Sequence, residues 1–586
     1  MKRQIGHFLA SATHWFQGSA LEPTVLQALP AESLSFRVSY ALRSEAEPRE
    51  RCVLRRRLGT RSIQREVSLF ARTLAFLSTF FMSCDIERAQ SDEPTRDGIW
   101  LDQTDREFGH MVRTAELILT PKAESKPALK HRFIPDDFDL QEGNAAIFYL
   151  KAMGFLEQDS ARNQLREIRL KARKLAEAKG EDPNNAPPFS WQEMQPKDLP
   201  IEEVKQYLSL LNFQPRDLAE AARRRSFSLD RNIRQVASPI GVLLPEIQYM
   251  RELARNQRLR CGLAIAERRV DDAIAILGQQ YAMANHLGRD EFLVSNLVGA
   301  AVAGIAFEDA LYLLESPNTP NLYWAFASLP NPIIDMKLAL AFERQVLFEE
   351  VKMLREVDEA HRNAGYWHDF IERIVPQFQS LTLLVANSAQ RDPENLRAIL
   401  IATIGASYPG AKRYLIEEVG LDRERVASYT SAQTYFLAMK RFYEQARDEH
   451  FKWNATPFPN AVLNNRFRDL DERTKADCDR IGWSSLPTSM FLPGFGAARN
   501  VQQRCQQSIA MLQTVEAIRM YGGANGGKLP SSLENLTVPA PPDPFTGKPF
   551  LYEVSGDKAV LTGHRMPGLQ YRIVLRFASP ANQISN

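Results

Sequence analysis

At 586 residues the chain is too long for a single hydrophobic core and must divide. Its hydrophobic fraction of 44% and charged fraction of 25% are those of a soluble globular protein and exclude wholesale disorder. A formal charge of +2 leaves no footprint for tracking a phosphate backbone, so nucleic acid is excluded as an expected partner.

The charge is unevenly placed. Residues 1–83 carry 12 Lys+Arg against 6 Asp+Glu, which leaves the rest of the chain mildly acidic. Residues 1–66 lack helical periodicity and collect arginines, Arg55, Arg56 and Arg57 among them. Leu69–Ser83 is then an apolar run broken only by Arg72, with Cys84 and a charged stretch behind it. A basic flank, an apolar run and a small residue before the break are the parts of a secretory signal. The pattern predicts an exported protein of the cell envelope or periplasm, with Cys84 as a candidate lipidation site and an N-terminal anchor as its membrane contact. The segment lies deep for a signal, and Phe81, Met82 and Ser83 match an acylation box only loosely. A start at Val67 would reconcile the depth. The competing reading is a buried helix over 69–82 in a cytoplasmic protein, since the run falls short of the ~20 residues of a membrane span.

Residues 84–190 read as a helical region, with one helix over 142–155 and a long charged one over 160–180. Five prolines between 182 and 200 predict a linker or loop. A helical array follows over 191–490. Its clearest members are Pro245–Arg268, the segment ending at Leu287 with Gly288 as its stop, and Glu291–Leu314. Cys52, Cys84, Cys261, Cys478 and Cys505 have no metal-knuckle or redox spacing, and Cys261 and Cys505 read as core residues. Phe292–Phe307 is uncharged and pairs Gly299 with Ala303 and Ala300 with Gly304, a spacing also used by membrane helix dimers. Sixteen residues are too few to span a bilayer comfortably, so a buried central helix is expected.

Tyr323, Trp324 and Phe326 lie between prolines and are a candidate interaction surface, against the plainer reading of a loop packed back on the helices. His361 and His368, with Asp358 and Asp369 nearby, are the nearest approach to a titratable cluster, but HExxH spacing is absent. The run Gly522–Lys528 satisfies GxxxxGK, yet a helix precedes it, and Leu529 and Pro530 stand where a phosphate loop needs a hydroxyl and a helix start. It reads as a turn.

Residues 491–586 change texture. Ala497–Tyr521 is an amphipathic helix, FLYEV and KAVLTG read as a hairpin, and Leu569–Phe577 alternates like a last strand. Gly527, Leu529, Pro530, Leu533, Asp543-Pro544-Phe545, Gly547, Pro549, Phe550 and Tyr552 follow in the order of a helix, a turn, a short helix and a hairpin. This segment resembles the globular part of the major pseudopilins of type II secretion, and the whole chain is similar to large bacterial exported proteins with that ending. Asp543 can cap the turn, Pro544 and Gly547 can fix its dihedrals, and Phe545, Phe550 and Tyr552 can pack on the helix. The resemblance implies a module that docks to protein partners of a secretion or pilus-like apparatus. No apolar stalk precedes Ala497, so polymerisation of the pilin kind is not implied. The acidic calcium loop of that family is not recognisable after Gly563, so neither metal nor cofactor is expected.

The fold expected is mainly α: an irregular, solenoid-like helical array with a small C-terminal α+β module. The function expected is a non-enzymatic envelope scaffold. The alternative is an enzyme whose site is assembled between helices, near His361, His368 and the aromatic residues at 323–326.

Overall fold

Residues 94–578 are described by the computed structural model, except 106–108, 155–158, 181, 184–185, 237, 240–241, 243, 386–392, 456–459, 482–486, 489–491, 493–494 and 567. Cys84 and the 69–83 segment lie outside the described residues. The protein is mainly α, about 60% helical, with 16 helices among the described residues.

Three strands come first: β1 (Thr95–Asp97), β2 (Trp100–Thr104) and β3 (Met111–Leu119). They correct the expectation of a helical region from 84 onwards. In β3 the buried Ala115, Leu117 and Leu119 alternate with the exposed Glu116 and Ile118, a period of two that puts one face in the core. Next come β4 (Gln141–Asn144) and α1 (Ala145–Ala152), whose N-cap Asn144 accepts from the Ala146 amide at 3.0 Å.

The described residues form two compact units, one within residues 159–212 and the other made of residues 94–154 and 213–578. The first holds α2 (Asp159–Lys179) and α3 (Ile201–Ser209). Between them the proline-rich segment forms only two 3-10 turns, Ser190–Glu193 and Pro196–Asp198, among the described residues. It is not a linker between units but packs within one. Trp191 meets Tyr207 edge-on at 6.1 Å, and the Arg169 guanidinium lies 5.7 Å from the Phe189 ring.

The second unit continues with α4 (Gln214–Ala222) and β5 (Arg224–Ser226), then α5 (Pro245–Ala266), α6 (Val270–Leu287), α7 (Leu293–Glu315) and α8 (Tyr323–Ala327). Then follow α9 (Lys337–Glu343), α10 (Val346–Glu350), α11 (Ala364–Val385), α12 (Pro393–Glu417), α13 (Arg423–Ser428), α14 (Ser431–Phe451), α15 (Asn460–Ile481) and α16 (Phe495–Ala524). The chain closes with β6 (Leu551–Ser555), β7 (Lys558–Thr562) and β8 (Leu569–Phe577).

Two hydrophobic cores organise this unit. The larger joins the sheet, α1, α5–α8 and α16, while the other is built by α10–α14 around Trp367, Phe370, Phe436 and Tyr443. α7 is the one helix among the described residues long and apolar enough to cross a bilayer, and most of it is buried against protein. Its small residues serve a contact inside the fold. A Cβ on Gly299 would come within 2.8 Å of the Ala284 carbonyl oxygen and 3.0 Å of the Gly288 nitrogen. Gly288 does end α6, but not through a left-handed turn: a Cβ there would meet the Ile334 Cα at 2.8 Å.

The C-terminal strands do not form a sheet of their own. The order is β1-β2-β3-β8-β7-β6, with β8 parallel to β3 and paired over nine positions from Met111↔Leu569 to Leu119↔Phe577. Ile573 and Leu575 of β8 join Leu117 and Leu119 of β3 on the buried face, against Leu512, Val515 and Ile518 of α16.

Candidate functional site

The C-terminal turn forms as the residues dictate. Asp543 is 1% exposed and its carboxylate takes three donors: the Phe545 amide (2.8 Å), the His564 amide (2.7 Å) and Gln507 Nε2 of α16 (2.8 Å). Phe545 and Phe550 are buried, Gly547 has φ +68°, and the Tyr552 hydroxyl donates to the Pro530 carbonyl at 3.0 Å. Pro544 lies within this turn, and Pro549 follows it just before β6. The glycine run at the end of α16 has steric causes. A Cβ on Gly522 would strike the Phe577 ring at 2.6 Å, one on Gly523 the Ala123 nitrogen at 2.6 Å, and Gly526 and Gly527 have positive φ. Glycine is required there because β3 and β8 end against the helix.

The aromatic trio is not a surface. Tyr323 and Phe326 are 2% and 1% exposed: they lie on α8 and point into the protein. The Phe326 ring is 4.8 Å from that of Phe133, and the Tyr323 hydroxyl donates to the Pro539 carbonyl at 2.7 Å. Trp324 is half-buried and its indole N–H donates to Glu124 at 2.7 Å. Apolar area that folding can bury is not left in water.

His361 and His368 are exposed, the first in the loop before α11 and the second on that helix. That loop is clasped from α13 and α14. Gln433 Nε2 donates to the Ala360 carbonyl at 2.8 Å, Lys440 Nζ to the Val357 carbonyl at 2.7 Å, and Arg441 to Glu359 at 2.6 Å. The helix that carries His368 packs through Trp367 and Phe370 into the α10–α14 core, while Ala325 and Phe326 of α8 pack into the other. No group of three or more His, Cys, Asp or Glu residues able to hold a metal occurs among the described residues.

Sequence reasoning missed the buried polar residues, which are the most organised chemistry in the molecule. Glu516 and Arg519 of α16 are both fully buried and paired at 2.7 Å. Arg519 also donates to the carbonyls of Thr319 (3.0 Å) and Thr120 (3.2 Å), and Asn321 Nδ2 donates to Glu516 at 2.7 Å. Glu308 of α7 accepts from the Trp100 indole at 2.9 Å and from Arg258 at 2.6 Å. Its neighbour Asp309 accepts from Gln280 Nε2 at 2.7 Å, and burial raises its carboxyl to about 7 against the pull of Arg258. His286 has Nε2 3.1 Å from the Arg224 carbonyl and Nδ1 2.9 Å from the Tyr149 hydroxyl. Burial drives its proton affinity down to about 4, so the ring donates to the carbonyl through Nε2–H and accepts from the tyrosine at Nδ1. Each group spans two or more elements, so each ties the fold together.

The described residues also form a polar concavity. A cleft of about 540 Å³ is lined by Lys130 and His131, by Arg268–Asp272 of the turn joining α5 to α6, and by Asn318 and Pro320. The turn is a left-handed helix stop. The Arg269 amide donates to the Ala264 carbonyl at 2.8 Å, the Arg268 amide to Ile265 at 3.0 Å, and Arg268 has φ +58°. The chain matches no protein-family model, no curated protein and no solved structure.

Proposed function

We propose that this protein is a non-enzymatic interaction scaffold of the bacterial cell envelope, exported through the 69–83 segment, with Cys84 as a candidate lipid anchor. The observation that carries the non-enzymatic part is how the polar side chains are used. The buried ones (Glu516, Arg519, Asp543 and His286) are spent on bonds between elements, and His361 and His368 are exposed while Tyr323 and Phe326 are buried. Catalysis needs convergent groups that are free to bind and transfer. The formed Asp543 turn supports the reading of residues 491–586 as a pseudopilin-like docking module for a secretion or pilus-like apparatus.

The reading is tested in two steps. Cell fractionation with intact-mass and N-terminal peptide mapping should find the chain in the envelope, beginning at or near Cys84; a chain beginning at Met1 in the cytoplasm defeats the envelope assignment. The purified protein should then show no saturable turnover across hydrolase, transferase and oxidoreductase substrate panels. A saturable rate that survives repurification would sink the non-enzymatic reading.

A further inference from the structure

We propose that the cleft between the 130–131 loop, the α5–α6 turn and the 318–320 loop binds a small phosphomonoester, with Arg268 and Lys130 as its principal cations. The cleft, of about 540 Å³, falls within the roughly 300–1,000 Å³ typical of small-molecule sites. Three segments far apart in sequence build it, and the lining side chains are polar except Val270 and Pro320.

The choice of residue at 268 is informative. The backbone at φ +58° is the left-handed stop that glycine ordinarily occupies, since any side chain there is strained. An arginine at that place strains the turn in a way that glycine would not. Its charge is not used to hold the turn together. Arg269 is the residue that pairs with the neighbouring acids, reaching Glu267 at 2.7 Å and also Asp272. Arg268 and Lys130 have no ion-pair partner among the described residues, and both side chains are exposed along the cleft.

Beside them, partial burial and the adjacent Lys130 lower the proton affinity of His131, with Asp271 opposing. A dianionic phosphate, with three oxygens able to accept, matches a guanidinium and an ammonium better than a single carboxylate does. Asp271 and Asn318 on the same lining can accept from hydroxyl groups, which favours an ester of a polyol over the bare ion. The end of α6 itself is no part of the argument, because Asp271 and Asp272 already occupy its first turn.

Titration calorimetry on the full chain in low salt, with ribose 5-phosphate, inorganic phosphate and ribose as probes, tests the site. Saturable binding is expected for ribose 5-phosphate, weaker binding for phosphate, and none for ribose. Arg268→Gly and Lys130→Glu should each weaken ribose 5-phosphate by at least about ten-fold, the loss of one charge-assisted bond. Arg268→Gly should at the same time raise the melting temperature, because glycine suits the turn, so its loss of binding cannot be unfolding. Absence of saturable heat with either phosphate, or wild-type affinity in both variants, overturns the proposal. Consumption of the probe would count against the non-enzymatic reading while leaving the binding site intact.

Discussion

Glu516 and Arg519 are one turn apart on α16 and have no contact with water. Each offsets the desolvation of the other, and the three remaining bonds of the arginine go to carbonyls of the 319–320 loop and of the residue after β3. Arg519→Met should therefore cost about 3–5 kcal/mol, because a buried carboxylate is left without its cation. Urea denaturation would show it, and adding Glu516→Leu to that variant should recover much of the loss. Asp309 behaves differently, since Gln280 is its close partner and Arg258 acts on it only from further off. The fold favours its protonated form. The stability this contributes is whole below the ordinary aspartate range and is lost as pH climbs towards about 7. Asp309→Asn should flatten that loss, so the stability of the variant relative to wild type should rise between about pH 4 and about pH 7. Denaturation curves at several pH values would decide, and a difference independent of pH would contradict the assignment.

At the scale of elements, α7 shows what a sixteen-residue uncharged run becomes when other helices pack around it. Gly299 lets α6 approach to backbone contact, so Gly299→Leu should destabilise by about 1–3 kcal/mol or more through overpacking, whereas Gly304→Ala, with open space around it, should be tolerated. Melting temperatures of the two variants provide the comparison. The helices α5, α6, α7 and α16 were legible because their apolar positions recur at helical spacing and their ends carry stop signals. The Asp543 turn was legible because its residue types permit few backbone conformations. The strands β2 and β3 were not, since Arg113 and Thr114 interrupt the alternation before the apolar face is established. The buried pairs were equally silent: Glu516 and Arg519 look like any surface i, i+3 pair until tertiary packing covers them. Tyr323 and Phe326 misled because aromatic residues between prolines serve a groove and a core equally well.

At the scale of the whole molecule, the sheet is where the first three and the last three described strands meet, through β3 and β8. β8 runs parallel to β3 with β7 on its other side, so removing residues 551–578 would strip β3 of its neighbour and open an apolar edge. Such a truncation should elute as aggregates in size-exclusion chromatography. In hydrogen exchange of the intact chain, the amides of 111–119 and 569–577 should be protected to a similar degree, as one cooperative unit. Unequal protection would separate the two ends energetically.

The pairing also bears on how the molecule is made. His110, at the head of β3, meets Gln570 of β8 across 460 positions of chain. At roughly 5–20 residues per second, a ribosome needs on the order of 20–90 s to cover that interval. For all that time β3 waits beside a vacant place in its sheet. A chain cut short before residue 569 leaves that place unfilled. β8 thus makes the sheet around β3 wait on residues made long after it.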